Sequence, residues 1–318
     1  MKQKIIFWFI AVSLFSMPLG EAAAQLRSQY EGLSRYIGKE AVTTLDSAQI
    51  RITYSLNYVP DSNKMQEVMR DRKVLLIGNE WTHFYSDYVR QADSVFTADY
   101  DAGKNTEPLT WPSDIAGEGY EVFTNIATQK RTVLEPVTNL LLYSYDDEVR
   151  SLQWEISNDT CRILNYFCQK ANAHFRGRDW TVWFTSEIPL NTGPWKLGGL
   201  PGLILKAADS KNHYIFECIG VEQLRNAKQP IIMLHESPTF IKCHRKAYRR
   251  AQQQFYVNHI NVLLSLGFNI NIEDNEQRRI DFLETPNNMF EEQYIYYVAS
   301  IKVDDRYKNI PYNPIELE

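Results

Sequence analysis

The stretch GPWKLGGLPGLIL, residues 193–205, decides how this chain is read. It places four glycines and two prolines at and before an unbroken apolar run. A phosphate-binding G-x-G-x-x-G loop must follow a strand and open a helix, and the Walker form needs G-K-[ST]. Here Gly198 and Gly199 lead through Leu200, Pro201 and Gly202 into the β-type run Leu203-Ile204-Leu205, so the phosphate reading fails. Pro201 presets φ and Gly202 tolerates positive φ, so the pair predicts a type II turn feeding a buried strand. Gly198 and Gly199 leave room for close backbone approach.

Working outward, most of the middle of the chain reads as strand. In IRITYSLNYV (50–59), Ile50, Ile52, Tyr54 and Leu56 share one face. KVLLIGNEWTHFYSDYV (73–89) is rich in β-branched and aromatic residues and breaks at Gly78-Asn79. Segments 120–137 and 149–156 continue the pattern. Residues 161–177 set Phe167, Ala171, Ala173 and Phe175 against Tyr166, Cys168, Lys170, Asn172 and His174. DWTVWFTSEIPL (179–190) follows a short turn, and LILKAAD and HYIFECIGVE follow the glycine stretch. Short links between consecutive strands favour antiparallel pairing. Near the end, Ser237 and Pro238 predict the start of a long helix, with Phe240, Tyr248, Ala251, Phe255 and Leu263 on its apolar stripe and Gly267 at its stop. Its basic start, Lys242, Arg245, Lys246, Arg249 and Arg250, reads as a solvated face more readily than as a surface for an acidic partner or an anionic membrane. The expectation is a mainly β (α+β) fold: a curved antiparallel sheet or half-barrel with a long C-terminal helix packed on it.

The chain has 318 residues and a formal net charge of −5, and this mild acidity argues against general nucleic-acid binding. Lys2 and Lys4 precede an apolar run from Ile5 to Met17, and Ala22-Ala23-Ala24 offers a small-residue cleavage site. Residues 1–24 therefore read as a signal peptide and 25–318 as a single domain, exported to the periplasm or secreted. No later segment is apolar enough to predict a helical span.

Four cysteines, Cys161, Cys168, Cys218 and Cys243, lack the spacing of a zinc ribbon or a C-x-x-C redox pair. A disulfide linking Cys168 to Cys218 across neighbouring strands is one reading; buried small apolar thiols are the other. No G-x-S-x-G elbow and no H-E-x-x-H is present. His83, Ser86 and Asp87 lie close in sequence, but scattered sets of this kind arise by chance, so no catalytic residue, cofactor or metal ion is assigned. The densest unusual feature is aromatic: Trp180, Trp183, Phe184 and Trp195, with Arg176 and Arg178 nearby. It suits a concave apolar groove, with Trp180, Trp183 and Trp195 lining it and Arg178 meeting a polar head group. Ordinary core packing is the competing account of each tryptophan.

Gly199-Leu200-Pro201-Gly202-Leu203-Ile204, the run CQKANAHFRGRDWTVWFTSEIP and the ending YNPIELE together resemble the GLPGLI family of exported bacterial proteins. The resemblance implies secretion and brings no established catalytic residues. By weaker analogy, strands plus a helix are similar to lipoprotein-carrier half-barrels, which bind acyl chains, although fold alone does not transfer function. The leading expectation is a non-enzymatic binding or assembly factor for an apolar ligand, a peptide or an outer-membrane partner. The alternatives are a hydrolase whose site is assembled from distant His, Asp and Ser residues, and a purely structural module.

Overall fold

The computed structural model describes residues 42–101, 112, 114–138, 141–149, 151–225, 229–234, 240–253, 268–273, 277–282, 302–303 and 313–317. The segment expected to be a signal peptide lies outside them, as do Ser237, Pro238, Phe255, Leu263 and Gly267. The chain falls into two compact units, one made of Ala23–Arg245 with Asn313–Glu318 and the other containing Lys246–Tyr312.

In the larger unit the strands are β1 (Val42–Ala48), β2 (Ile50–Tyr58), β3 (Met69–Ile77), β4 (Trp81–Ser86), β5 (Glu121–Asn125), β6 (Lys130–Thr138) and β7 (Leu141–Glu148). They continue with β8 (Glu155–Ile163), β9 (Tyr166–Phe175), β10 (Arg178–Thr185), β11 (Leu203–Asp209), β12 (Tyr214–Gln223), β13 (Gln229–Leu234) and β14 (Phe240–His244). Twelve of them form one open sheet in the order β14-β7-β6-β5-β4-β3-β2-β12-β11-β10-β9-β8, and β1 pairs with β13 as a separate ribbon. The fold is mainly β, as the sequence pattern predicts. All ladders of the large sheet are antiparallel except β14 on β7, which is parallel. In the smaller unit, β15 (Phe268–Glu273), β16 (Gln277–Phe282) and β17 (Lys302–Val303) make an antiparallel sheet.

The large sheet is curled. Arg176, at the end of β9, forms an ion pair with Asp147 on β7, nine places away in the strand order. At roughly 4.8 Å per strand a flat sheet would hold them about 43 Å apart. The inner face is set by strand alternation. Ile52, Tyr54, Leu56 and Tyr58 of β2, Trp180, Val182 and Phe184 of β10, and Tyr214 and Phe216 of β12 are all buried. Tyr54 packs against Phe84, and Trp180 against Phe216. On the outer face, a second apolar cluster of Ala48, Val74, Leu76, Tyr85, Phe123, Leu134, Leu142 and Ile231 joins the β1–β13 ribbon to the middle of the sheet. These strands are therefore apolar on both sides, which is why VLLI in β3 reads as a continuous run.

Two expectations are corrected. The strand-like run 73–89 ends at Ser86, whose hydroxyl accepts from the Val89 amide at 3.3 Å and caps helix α1 (Asp87–Asp101). No long C-terminal helix is shown among the described residues. Residues 240–244, expected on it, are instead strand β14, whose backbone is satisfied by the open edge of β7, and helix α2 is described only over residues 245–253.

Candidate functional site

The glycine stretch folds as a loop across the inner face. Leu203, Ile204 and Leu205 are fully buried at the start of β11. The turn before them differs from the expected type II form. The Gly202 amide donates to the Leu200 carbonyl at 2.8 Å, closing a three-residue turn around Pro201. The positive φ falls at Gly199 (92°) instead of Gly202. Gly202 is demanded by space: a Cβ there would lie 2.0 Å from the Thr185 carbonyl oxygen. Between these glycines and Pro194, the loop turns Trp195, Lys196 and Leu197 inward together, and Trp195 takes a φ of 57°. That conformation is costly for a bulky side chain and is held here by packing on Trp180 and Phe175, at centroid distances of 5.7 and 5.5 Å.

Lys196 thereby enters a buried ionic cluster. Its Nζ lies 2.9 Å from Asp147 Oδ2 and also pairs with Glu316. Asp147 binds Arg176 as well, and Glu316 is bound from its other oxygen by Arg245 Nη2 at 2.6 Å. Arg131 donates to the Lys196 carbonyl at 3.3 Å. Burial alone would raise the Asp147 carboxyl, but Lys196, Arg176 and Arg131 outweigh it and hold it below its ordinary value. Glu316 is depressed in the same way, its burial overcome by Lys196, Arg245 and Arg176. Burial lowers Arg131 to about 10.

Beside this cluster, Arg178 clamps the C-terminal segment. It donates from Nε to the Ile315 carbonyl at 2.9 Å, and from Nη2 to the Pro314 carbonyl at 2.6 Å and Asn313 Oδ1 at 2.8 Å. Its Nη1 donates to Asp209 Oδ2 at 2.8 Å. The Asn313 side-chain amide donates to the Val59 carbonyl at 2.6 Å, and the Tyr214 hydroxyl donates to the Asn313 carbonyl at 2.8 Å. The Leu317 amide donates to the Arg176 carbonyl at 2.9 Å. Residues 313–317 thus lie as a strap with a bend at Ile315, read through three backbone carbonyls, one backbone amide, one side-chain amide and one carboxylate.

The residues singled out in sequence are only partly brought together. Trp180, Trp195 and Arg178 meet on the inner face but are buried, at 1%, 4% and 3% exposure. Trp180 donates from Nε1 to the Phe175 carbonyl at 3.3 Å, and Arg178 is fully engaged by the chain itself. Trp183 takes the outer face, half-buried, paired across the ladders with Lys170 and Lys206. These lysines are tied to Asp159 and Glu217 respectively. None of the four cysteines is in a disulfide. Cys168 and Cys218 lie on β9 and β12, with β10 and β11 between them, and they face opposite sides of the sheet, so the expected link is excluded by geometry. His83, Ser86 and Asp87 do not converge. His83 pairs with Glu121, Ser86 donates to Asp71, and Asp87 takes Arg51 and Arg72. Among the described residues no group of His, Cys, Asp and Glu has a metal-binding arrangement. Asp147, Lys196 and Glu316 escaped sequence reading because they come together from three distant segments. The one local signal was inward parity: Arg131 and Asp147 share a strand face with the buried Val133 and Tyr145.

Residues 124–245, less than half of the chain, match the family described as "N-glycanase peptide, N-terminal domain". No curated protein matches. Among solved structures, the chain is similar to "Structure of PNGF-II in P21 space group", at 15% identity and a TM-score of 0.42, over 72% of this chain and 36% of that one. A second similar structure is "Structure of PNGF-II in C2 space group", at 14% identity and a TM-score of 0.43, over 73% and 38%. The chain spans little more than a third of the length of these proteins. The matched family overturns the GLPGLI resemblance. The six residues that suggested it answer to local geometry, a positive φ at Gly199 and a close approach at Gly202. No helix among the described residues is long and apolar enough to cross a membrane, which says nothing of a β-barrel.

Proposed function

We propose that this protein is an exported, non-enzymatic binding module whose inner sheet face holds a short polypeptide segment. The observation that carries the reading is the strap itself. Arg178, Asp209, Tyr214 and Lys196 are arranged around three backbone carbonyls and a carboxylate of residues 313–317. Such groups read the main chain and one acidic side chain, which is how a peptide of limited sequence is recognised. The apolar and aromatic floor under them supplies the burial. Asp147, Lys196 and Glu316 are buried and held in ion pairs with one another, which favours binding over catalysis. Export, to the periplasm or beyond, is supported by the basic start, the apolar run and the small-residue site at the N-terminus.

A second reading is favoured by one observation, the match of residues 124–245 to the N-terminal domain of an N-glycanase. In it the chain accompanies glycan-acting chemistry, and Trp183, on the outer face between Lys170 and Lys206, meets the sugar.

The test is a labelled peptide with the sequence NPIELE, offered in trans to the full chain. The Glu316→Gln variant, whose own strap has lost its anchoring charge, is expected to bind it more tightly than the wild type, by fluorescence anisotropy. Absence of binding by both proteins overturns the peptide reading. Retention of an N-glycan mixture that Trp183→Ala abolishes selects the second.

A further inference from the structure

The hairpin of β8 and β9 carries two cysteines that the proposed function does not use. Its loop is the pair Leu164-Asn165, with φ of 48° and 70°, the two-residue turn whose twist matches antiparallel strands. Such a turn fixes the register, and here it sets Ile163 opposite Tyr166, Arg162 opposite Phe167 and Cys161 opposite Cys168. Directly opposed residues share a face, with Cα atoms about 4.5 or 5.5 Å apart depending on the ladder position. Both spacings fall in the range of roughly 4.4–6.8 Å that a disulfide spans. Cys161 is partly exposed on β8, the last strand of the sheet, while Cys168 is buried beside it on β9.

We propose that Cys161 and Cys168 are an oxidative modification site, closed to an intramolecular disulfide by a disulfide donor, RSSR. The partly exposed Cys161 thiolate attacks one donor sulfur, forming Cys161–S–S–R and expelling RS⁻. The Cys168 thiolate then attacks the Cys161 sulfur, forming the Cys161–Cys168 bond and expelling the second RS⁻. The protons lost by the two cysteines are taken up by the two leaving thiolates. Two electrons pass from the cysteine pair to the donor, which is reduced to two thiols. Burial raises both thiols, and Cys168 is pushed up to about 11, so closure quickens as the solution is made alkaline. Cys218 is also pushed up to about 11 by burial and faces the other side of the sheet, so it takes no part. The product ties the outermost strand to β9 next to the register irregularity between Ile156 and Thr160.

The test uses the native full chain with oxidised glutathione, followed by alkylation and mass mapping. Two of the four thiols are expected to become unreactive. Tryptic cleavage after Arg162 separates the two cysteines, so their fragments should stay joined only without reductant. In Cys161→Ser, Cys168 is expected to remain reduced. A Cys168–Cys218 link, glutathione adducts that never close, or an unchanged thiol count each overturns the proposal.

Discussion

Arg178 Nη1 lies 2.8 Å from Asp209 Oδ2, and both side chains are 2% exposed. Two charges this deep persist only if their remaining hydrogen-bonding capacity is filled. For Arg178 the C-terminal strap fills it. The strap therefore helps to keep this buried pair satisfied, and the same pair is the core of the proposed recognition face.

Removing the cation leaves Asp209 buried and unpaired and frees two strap carbonyls. Arg178→Met is expected to destabilise the protein by about 3–5 kcal/mol. Equilibrium urea denaturation measures this; a loss below about 1 kcal/mol would mean that the pair is water-accessible in solution.

Asp147 and Glu316 both titrate below their ordinary values of 3.8 and 4.5 in the folded protein. A depressed carboxylate contributes stability above its unfolded value, and that contribution is lost as pH falls through the folded one. The melting temperature should therefore hold steady from neutral pH to about 5 and fall below about 4.5. Glu316→Gln should flatten that fall. A melting temperature that rises on acidification would contradict the cluster's charge assignment.

Trp180 and Trp183 are three residues apart on β10 and face opposite ways. Trp180→Ala empties a site between Trp195 and Phe216 and should cost about 3–5 kcal/mol. Trp183→Ala should cost clearly less, since its side chain is half in water. Equal losses in thermal melts would mean that the outer face at β10 is covered.

Gly202 faces the Thr185 carbonyl with no room for a methyl group, although its own φ is ordinary. Gly202→Ala must displace backbone on β10 or β11, and a loss of about 1–3 kcal/mol is expected from overpacking. Unchanged melting would show that the loop can lift off β10.

Much of the sheet was legible because strand alternation and turn chemistry are local. The opposed sets in 161–177 have the parities the ladders give them, with Ala171 opposite Val182 and Lys170 opposite Trp183. Segment 50–59 became β2 with Ile52, Tyr54 and Leu56 inward. What failed was non-local. Residues 240–244 carry a pattern that suits a helix, but an open edge of β7 decides their state. Helix α1 was hidden by β-branched and aromatic residues, and was fixed by a single cap at Ser86. The ionic cluster joins β7, the loop before β11 and the strap, three segments whose proximity comes only from the curl of the sheet. Arg178 stood out in the sequence, but its partner is the chain's own end, which no spacing rule reveals.

The central claim is that the inner face grips residues 313–317 through their main chain and Glu316. Amide hydrogen exchange at Leu317, whose N–H donates to the Arg176 carbonyl, tests it most directly. The account predicts slow exchange in the native full chain and fast exchange in both Lys196→Met and Arg178→Met under conditions where each remains folded. Exchange of the wild-type Leu317 amide at the rate of a free peptide would contradict it.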